Sequence, residues 1–295
     1  MRINVLGSGT SHGIPVVGCS CPVCTSLDPR DKRMRSAIYI EGQAGEKAVL
    51  DAGPEFRLQA VRAGIRRLDA IFLTHAHADH IHGLDDVRSL SYEMSIPVYG
   101  NEQTIEEMKE RFSYIWRETQ RGGGKPKLIP QVVKQPVCIG SLIFTPVPVK
   151  HGVLDILGWE VRENMLFPEK LSSEETRLPV KNLKSFLYLT DTSTIPPSSL
   201  AQLAEQDGVV DQNENIQSRV IIIGGLRIKP HETHFNFEQA LEAALNIGAG
   251  KIFLTHICHD HSHLEIEDFC RKFRESRSLE HIDIHPAEDG LEILL

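Results

Sequence analysis

The segment Thr74-His75-Ala76-His77-Ala78-Asp79-His80 constrains this chain more than any other feature. Three histidines and an aspartate fall within six positions, directly after the apolar run Ala70-Ile71-Phe72-Leu73. Neutral imidazole and carboxylate are ligands for zinc, manganese or iron. In an extended turn, the i, i+2 spacing of His75 and His77 lets both rings point the same way. Asp79 and His80, just beyond, can then face a second ion. The bland alternative is a polar loop that happens to be rich in histidine. Small alanines at the intervening positions argue against it.

One such loop cannot complete two coordination spheres, so later segments must add ligands. His151, Asp191 and His256 each follow an apolar run, the place where open α/β sheets put active residues. Singly, each reads as an exposed polar residue at a strand end; jointly, they fill the gaps left by the histidine cluster. Ala70-Ile71-Phe72-Leu73-Thr74-His75 also echoes Lys251-Ile252-Phe253-Leu254-Thr255-His256, as two similar sheet-plus-helix halves would. Alternating and β-branched runs predict strands over 2–7, 36–41, 47–51, 70–74 and 97–100, then 143–149, 156–161, 185–190, 220–225, 251–255 and 282–285. Helices are expected over 56–63, 83–91, 104–114, 198–205, 237–247 and 265–274.

No linker divides the 295 residues, so one domain is expected over 1–295, with surface insertions near 120–130, 164–182 and 205–219. The first of these carries Arg121-Gly122-Gly123-Gly124-Lys125-Pro126-Lys127, which reads as a flexible loop tip. A formal net charge of −8 argues against a broad nucleic-acid-binding surface, although metal ions would still attract a small anion. The longest apolar runs, such as 220–226, are far short of a membrane span, and residues 1–6 lack the pattern of a secretory signal. The expected location is the cytoplasm, with no membrane partner. There, Cys19-Ser20-Cys21-Pro22-Val23-Cys24 is more suited to metal than to disulfides. Cys138, Cys258 and Cys270 are scattered and are expected to be buried thiols.

The His-x-His-x-Asp-His pattern of His75–His80, with the Gly7-Ser8-Gly9-Thr10 turn ahead of it, resembles the metallo-β-lactamase superfamily almost end to end. Within it the chain resembles the phosphoribosyl 1,2-cyclic phosphate phosphodiesterase group. That finer likeness rests on Gly13-Ile14-Pro15 followed by the three cysteines, Asp51-Ala52-Gly53-Pro54, His80-Ile81-His82-Gly83-Leu84-Asp85 and Thr255-His256-Ile257-Cys258-His259. The resemblance implies an α/β fold, a four-layered αββα sandwich. It also implies two catalytic divalent metals, Mn2+ or Zn2+. His75, His77 and His151 would hold the first; Asp79, His80 and His256 the second; Asp191 would bridge them. A hydroxide between the ions would attack phosphorus, making Asp79 and the metal ligands catalytic. The general acid would be His234, with His231 the alternative; a histidine near its ordinary pKa of about 6.5 donates well at neutral pH. Cys19, Cys21, Cys24 and His259 would hold a structural Zn2+, with His261 or His263 able to replace His259. A homodimer is also implied.

Weaker positions are His12, which could line the pocket; His82, Asp85 and Asp51, which would orient ligands; and Arg88, which could meet a substrate phosphate. The superfamily hosts several reactions, so fold alone does not fix one. The expected activity is hydrolysis of a small cyclic phosphodiester. The alternative is a tRNA 3′-processing endonuclease, which needs a longer basic arm than 121–127. A third possibility is a non-hydrolytic, metal-dependent carrier or binding protein.

Overall fold

A computed structural model describes residues 1–118, 124–164, 184–206 and 219–295. Of the expected insertions, 165–182 and 207–218 lie outside the described residues, as do 119–123.

The strands are β1 (Arg2–Gly7), β2 (Ala37–Glu41), β3 (Lys47–Leu50), β4 (Ala70–Phe72), β5 (Ile96–Gly100), β6 (Leu128–Val132), β7 (Val137–Ile139), β8 (Leu142–His151), β9 (Leu154–Glu163), β10 (Ser185–Leu189), β11 (Arg219–Gly224), β12 (Lys251–Thr255), β13 (Asp283–Pro286) and β14 (Glu292–Leu294). The helices are α1 (Phe56–Arg62), α2 (Ala78–Ile81), α3 (Glu102–Arg111), α4 (Pro197–Gln206), α5 (Phe237–Asn246) and α6 (His263–Ser276). One sheet runs β14-β1-β2-β3-β4-β5-β6 and the other β13-β12-β11-β10-β9-β8-β7. Each has an antiparallel part and a parallel part: β3 to β6 are parallel in the first, β10 to β13 in the second. That shared plan is the structural form of the sequence echo, since β4 and β12 both lie in parallel parts.

The two sheets pack face to face. Phe72 of β4 stacks on Phe144 of β8, ring centroids 3.9 Å apart, and meets the edge of Trp159 of β9 at 4.9 Å. The buried Trp159 donates through Nε1 to the Leu73 carbonyl at 3.2 Å. Aromatic pairs of this kind add to the area they bury. The outer face of the first sheet packs on α1 and α3, and that of the second on α4, α5 and α6. The result is the expected four-layered αββα sandwich. Parallel strands covered on both faces lose the polar-apolar alternation, and β10 and β11 are buried throughout.

Local chemistry fixes the helix starts. Asn101 caps α3 by accepting from Thr104 N, and Asn236 with Gln239, and Ser262 with Glu265, form capping boxes for α5 and α6. Three expectations change. The helix over 83–91 is a 3-10 segment, Leu84–Ser91, because its apolar residues Leu84, Val87 and Leu90 recur every three residues. Residues 104–114 divide into α3 and a separate 3-10 turn, Ser113–Ile115. The stretch 120–130 ends in β6, an edge strand too exposed to announce itself by alternation. Among the described residues no helix is long and apolar enough to cross a membrane.

Candidate metal centre

The site forms where the C-terminal ends of strands from both sheets meet. Beyond β4 the chain turns at Thr74, passes His75, and enters the single-turn α2 with His77 at its N-cap position. Asp79 and His80 lie in α2 itself. The Asp51–Pro54 turn packs against this segment: Ala52 N donates to the His80 carbonyl at 2.7 Å, and a Cβ at Gly53 would collide with the Asp79 carbonyl. Glycine is required there for close approach.

Two donor groups result. His75 Nε2 lies 2.9 Å from His77 Nδ1, and the His151 ring is 5.5 and 5.2 Å from theirs. His151 Nδ1 donates to the Thr233 carbonyl at 2.8 Å, which leaves its Nε2 free as a ligand. In the second group, His80 Nε2 is 3.1 Å from both Asp79 Oδ2 and Asp191 Oδ2, and His256 Nδ1 is 3.2 Å from Asp191 Oδ2. Each group's donor atoms lie within 4.8 Å of one another, and Asp191 also forms a cluster with His151 and His234. The structure thus brings together all seven residues expected to ligate the catalytic ions, with Asp191 between the two groups.

The chemistry of these donors suits divalent cations. Buried His80 Nε2 makes no hydrogen bond although two carboxylates converge on it. A buried imidazole nitrogen on which carboxylates converge is the arrangement of a cation site. Burial opposes charge on Asp191, yet His256 and His80 hold its carboxyl well below the usual range, and His80 does the same for Asp79. Burial works to lower the His80 imidazole, but Asp79, Asp191 and Asp51 raise it well above its ordinary value. Burial pushes His75, His77 and His256 down, into the neutral form that binds metal.

Behind the ligands lies a supporting layer. Asp51, fully buried, accepts from His80 Nδ1 at 2.8 Å and from Thr74 N at 2.8 Å and Oγ1 at 2.9 Å. His82 and Asp85 do not orient ligands as expected. His82 is exposed against Phe112, and Asp85 accepts from the Tyr114 hydroxyl at 2.5 Å. Helical residues two apart diverge, so His80 facing inward sends His82 outward. Thr10, which the sequence marked only as part of the Gly7–Thr10 turn and gave no role, places Oγ1 3.1 Å from His256 Nε2. His12 is exposed, and Arg88 is turned to the Gly124 carbonyl at 3.1 Å.

His234 lies beside the centre: its ring is 4.7 Å from that of His151 and 5.0 Å from that of His256, and Nδ1 is 3.7 Å from Asp191 Oδ1. His231 is exposed and contacts Thr233. The expectation of an ordinary pKa for His234 fails. Burial, with His256 beside it, pushes its imidazole down to about 3.

A separate cluster joins the N-terminal loop to the segment after β12. The thiols of Cys19, Cys21 and Cys24 lie 3.4, 3.5 and 3.4 Å from His259 Nδ1. These four donors match the composition of a closed tetrahedral zinc site. The Cys24 amide draws the Cys21 thiol down to about 6, whereas burial pushes that of Cys24 up to about 11. His261 faces Phe237 and His263 is buried beside Glu267, so neither replaces His259. Cys258 and Cys270 are buried; Cys138, on the short β7, is exposed, contrary to expectation.

Residues 47–257 match a family described as the beta-lactamase superfamily domain. The chain is 32% identical over 297 residues to a Porphyromonas gingivalis protein named octanoyltransferase, of which it spans about half (52%) while being covered in full. It superposes on a crystal structure titled a new diphosphatase from the PhnP family with a TM-score of 0.75 at 32% identity, covering 100% of this chain and 97% of that one. Zinc-bound PqqB from Methylobacterium extorquens shares the fold at a TM-score of 0.72 and 16% identity, with full coverage of both chains. The chain belongs to the metallo-β-lactamase superfamily and within it resembles the PhnP family.

Proposed function

We propose that this chain is a two-metal phosphodiesterase acting on a small cyclic phosphodiester such as phosphoribosyl 1,2-cyclic phosphate. The observation that carries the reading is Asp191, which belongs to the second donor group and also clusters with His151 of the first and with His234. Two divalent cations, manganese or zinc, would supply Lewis-acid activation of water and offset charge developing on the phosphoryl oxygens. His75, His77 and His151 would hold one, Asp79, His80 and His256 the other, and Asp191 both. Asp79 has a carboxylate oxygen to spare for orienting the attacking water. Cys19, Cys21, Cys24 and His259 would hold a structural zinc that braces the His256 segment.

His234 has to deliver a proton to the leaving alkoxide as the P–O bond breaks. Burial, with His256 beside it, favours the neutral imidazole. A phosphate bound against it supplies the negative charge that raises its proton affinity. The acid is therefore armed by substrate. The net charge of −8 favours a small anion over a tRNA, and a filled ligand set favours turnover over a carrier role. A cytoplasmic homodimer belongs to the same proposal.

A second reading is hydrolysis of a diphosphate, favoured by the 32% identity to a diphosphatase over nearly its whole length. The leaving groups separate the two. A sugar alkoxide needs a general acid, whereas a phosphate leaves without one. The test is turnover of phosphoribosyl 1,2-cyclic phosphate and of a nucleoside diphosphate by manganese-loaded and zinc-loaded protein, wild type and His234→Ala. Cyclic diester hydrolysis that falls by about 10²–10⁴ in the variant supports the first reading. Diphosphate turnover that is insensitive to the variant supports the second. Silence on both substrates and on an aryl phosphodiester, with metal bound, refutes both.

A further inference from the structure

The segment between β13 and β14 carries a buried carboxylate that no part of the proposed chemistry uses. Asp289 is 6% exposed in its side chain. Its Oδ1 accepts from Ser8 N and from Ser8 Oγ, both at 2.9 Å, and its Oδ2 accepts from Met34 N at 2.8 Å. Arg62 Nη1, at 3.7 Å, is the charged group facing it. The neighbouring backbone is pinned to β1, with Gly290 N donating to the Val5 carbonyl at 2.7 Å and Val5 N to that of Leu291 at 2.9 Å.

The turn that Asp289 grips leads straight to a proposed ligand. Ser8 O accepts from Ile257 N at 3.0 Å, and Thr10 N donates to Ile257 O at 3.1 Å. Thr10 Oγ1 then meets His256 Nε2 at 3.1 Å. The circuit has little slack: a Cβ on Gly9 would fall 2.6 Å from the Arg33 carbonyl, and Gly9 N donates to Met34 O at 2.8 Å. His256 has a φ of 56°, a left-handed conformation that a non-glycine residue keeps only when its surroundings impose it.

We propose that Asp289 is a positioning residue: it locks the Ser8–Thr10 turn against His256–Ile257 and so fixes the His256 imidazole in the second donor group. Burial raises the Asp289 carboxyl to about 6, against the pull of the Met34 and Ser8 donors. A charge kept where burial opposes it is consistent with a need for its several acceptor sites. A carboxylate takes all three hydrogen bonds; an asparagine of the same shape has one oxygen and must set an NH2 group against an N–H donor. The consequence for metal binding rests on the two-metal reading above. The positioning itself does not.

The test has two arms on the full chain. In the metal-free protein, ring nitrogen shifts of His256, assigned through His256→Gln, should move in Asp289→Asn while those of His75 and His151 stay in place. In a cobalt titration, one of the two ions at the histidine-carboxylate groups should bind 10–100-fold more weakly in the variant. The other ion, and the thiolate site with its separate charge-transfer band, should keep their affinity. Unchanged His256 signals, or uniform weakening of every site, would overturn the inference. Where Asp289→Asn fails to fold, Ser8→Ala, which removes only the hydroxyl's bond, gives the same selective shift in smaller measure or overturns the inference. Uptake of a single cobalt ion outside the thiolate site by the wild type would sink the two-metal reading, and the His256 shifts would still decide the role of Asp289.

Discussion

Replacing Asp51 with asparagine should cost the centre most of one metal site while leaving the fold almost intact. His80 Nδ1 lies 2.8 Å from Asp51 Oδ2, and Thr74 N donates to Oδ1 at 2.8 Å. Nδ1 donates to the carboxylate and keeps its proton, so a cation that displaces the Nε2 proton meets a lone pair aimed between Asp79 and Asp191. An asparagine must keep its oxygen toward the Thr74 amide, so its NH2 group faces His80. It then donates to Nδ1 and moves the ring proton to Nε2, where it blocks a metal. Restoring the useful tautomer means turning the amide over and leaving the buried Thr74 N–H unpartnered, at about 1–3 kcal/mol. At about 1.4 kcal/mol per tenfold, affinity at that site falls roughly 5–150-fold. Manganese titration of the metal-free variant by calorimetry would read the loss directly. Its metal-free melting temperature should stay close to that of the wild type, because Thr74 keeps an acceptor. Binding of both ions at wild-type affinity would refute the tautomer argument and, with it, His80 as a ligand through Nε2.

Two further outcomes follow from the geometry. Cys24→Ser should release one zinc per chain, measured by elemental analysis, and lower the melting temperature, because the cluster ties residues 19–24 to the segment that carries His256. In the metal-free protein, His234 stays neutral when folded down to about pH 3, whereas the unfolded chain takes up a proton below about 6.5. Its contribution is therefore lost as pH falls from 6.5, reaching about 2 kcal/mol at pH 5. His234→Ala should flatten the acid side of the stability profile by that amount in urea unfolding at pH 7 and pH 5, and an unaltered slope would refute the burial argument.

The sequence was most legible where chemistry and chain direction coincide. His75, His77, Asp79 and His80 are adjacent, and His151, Asp191 and His256 each stand at or just beyond the end of an apolar strand, so residue type and position spoke together. Residues that act at one remove gave no such signal. Thr10 and Asp289 are separated from His256 by hundreds or tens of positions and meet it only through turns. His82 and Asp85 misled for the opposite reason: they continue the motif along the chain, but His82 at the end of α2 and Asp85 in the following 3-10 segment face away from the site. Edge strands β6, β7 and β14 were hidden because short strands with little buried surface leave no periodic pattern.

Backbone conformation supplies what the pattern could not. Among the described residues, Asp51, Asp191, His256 and Ser278 are the non-glycine residues in the left-handed region. The first three follow β3, β10 and β12 and turn into the site. Each such residue costs about 1–2 kcal/mol, and it persists where packing on all sides over-determines it. Here the over-determination comes from the inter-sheet core, in which Phe72 of one sheet stacks on Phe144 of the other. Neither sheet alone has a full set of donors, since His75, His77, Asp79 and His80 come from the first and His151, Asp191 and His256 from the second. An ion held by donors from both sheets can bind only the assembled sandwich. Free metal at a thousandfold excess over its Kd should therefore stabilise the fold by about 4 kcal/mol per ion, which offsets in kind the strain that the three left-handed residues impose.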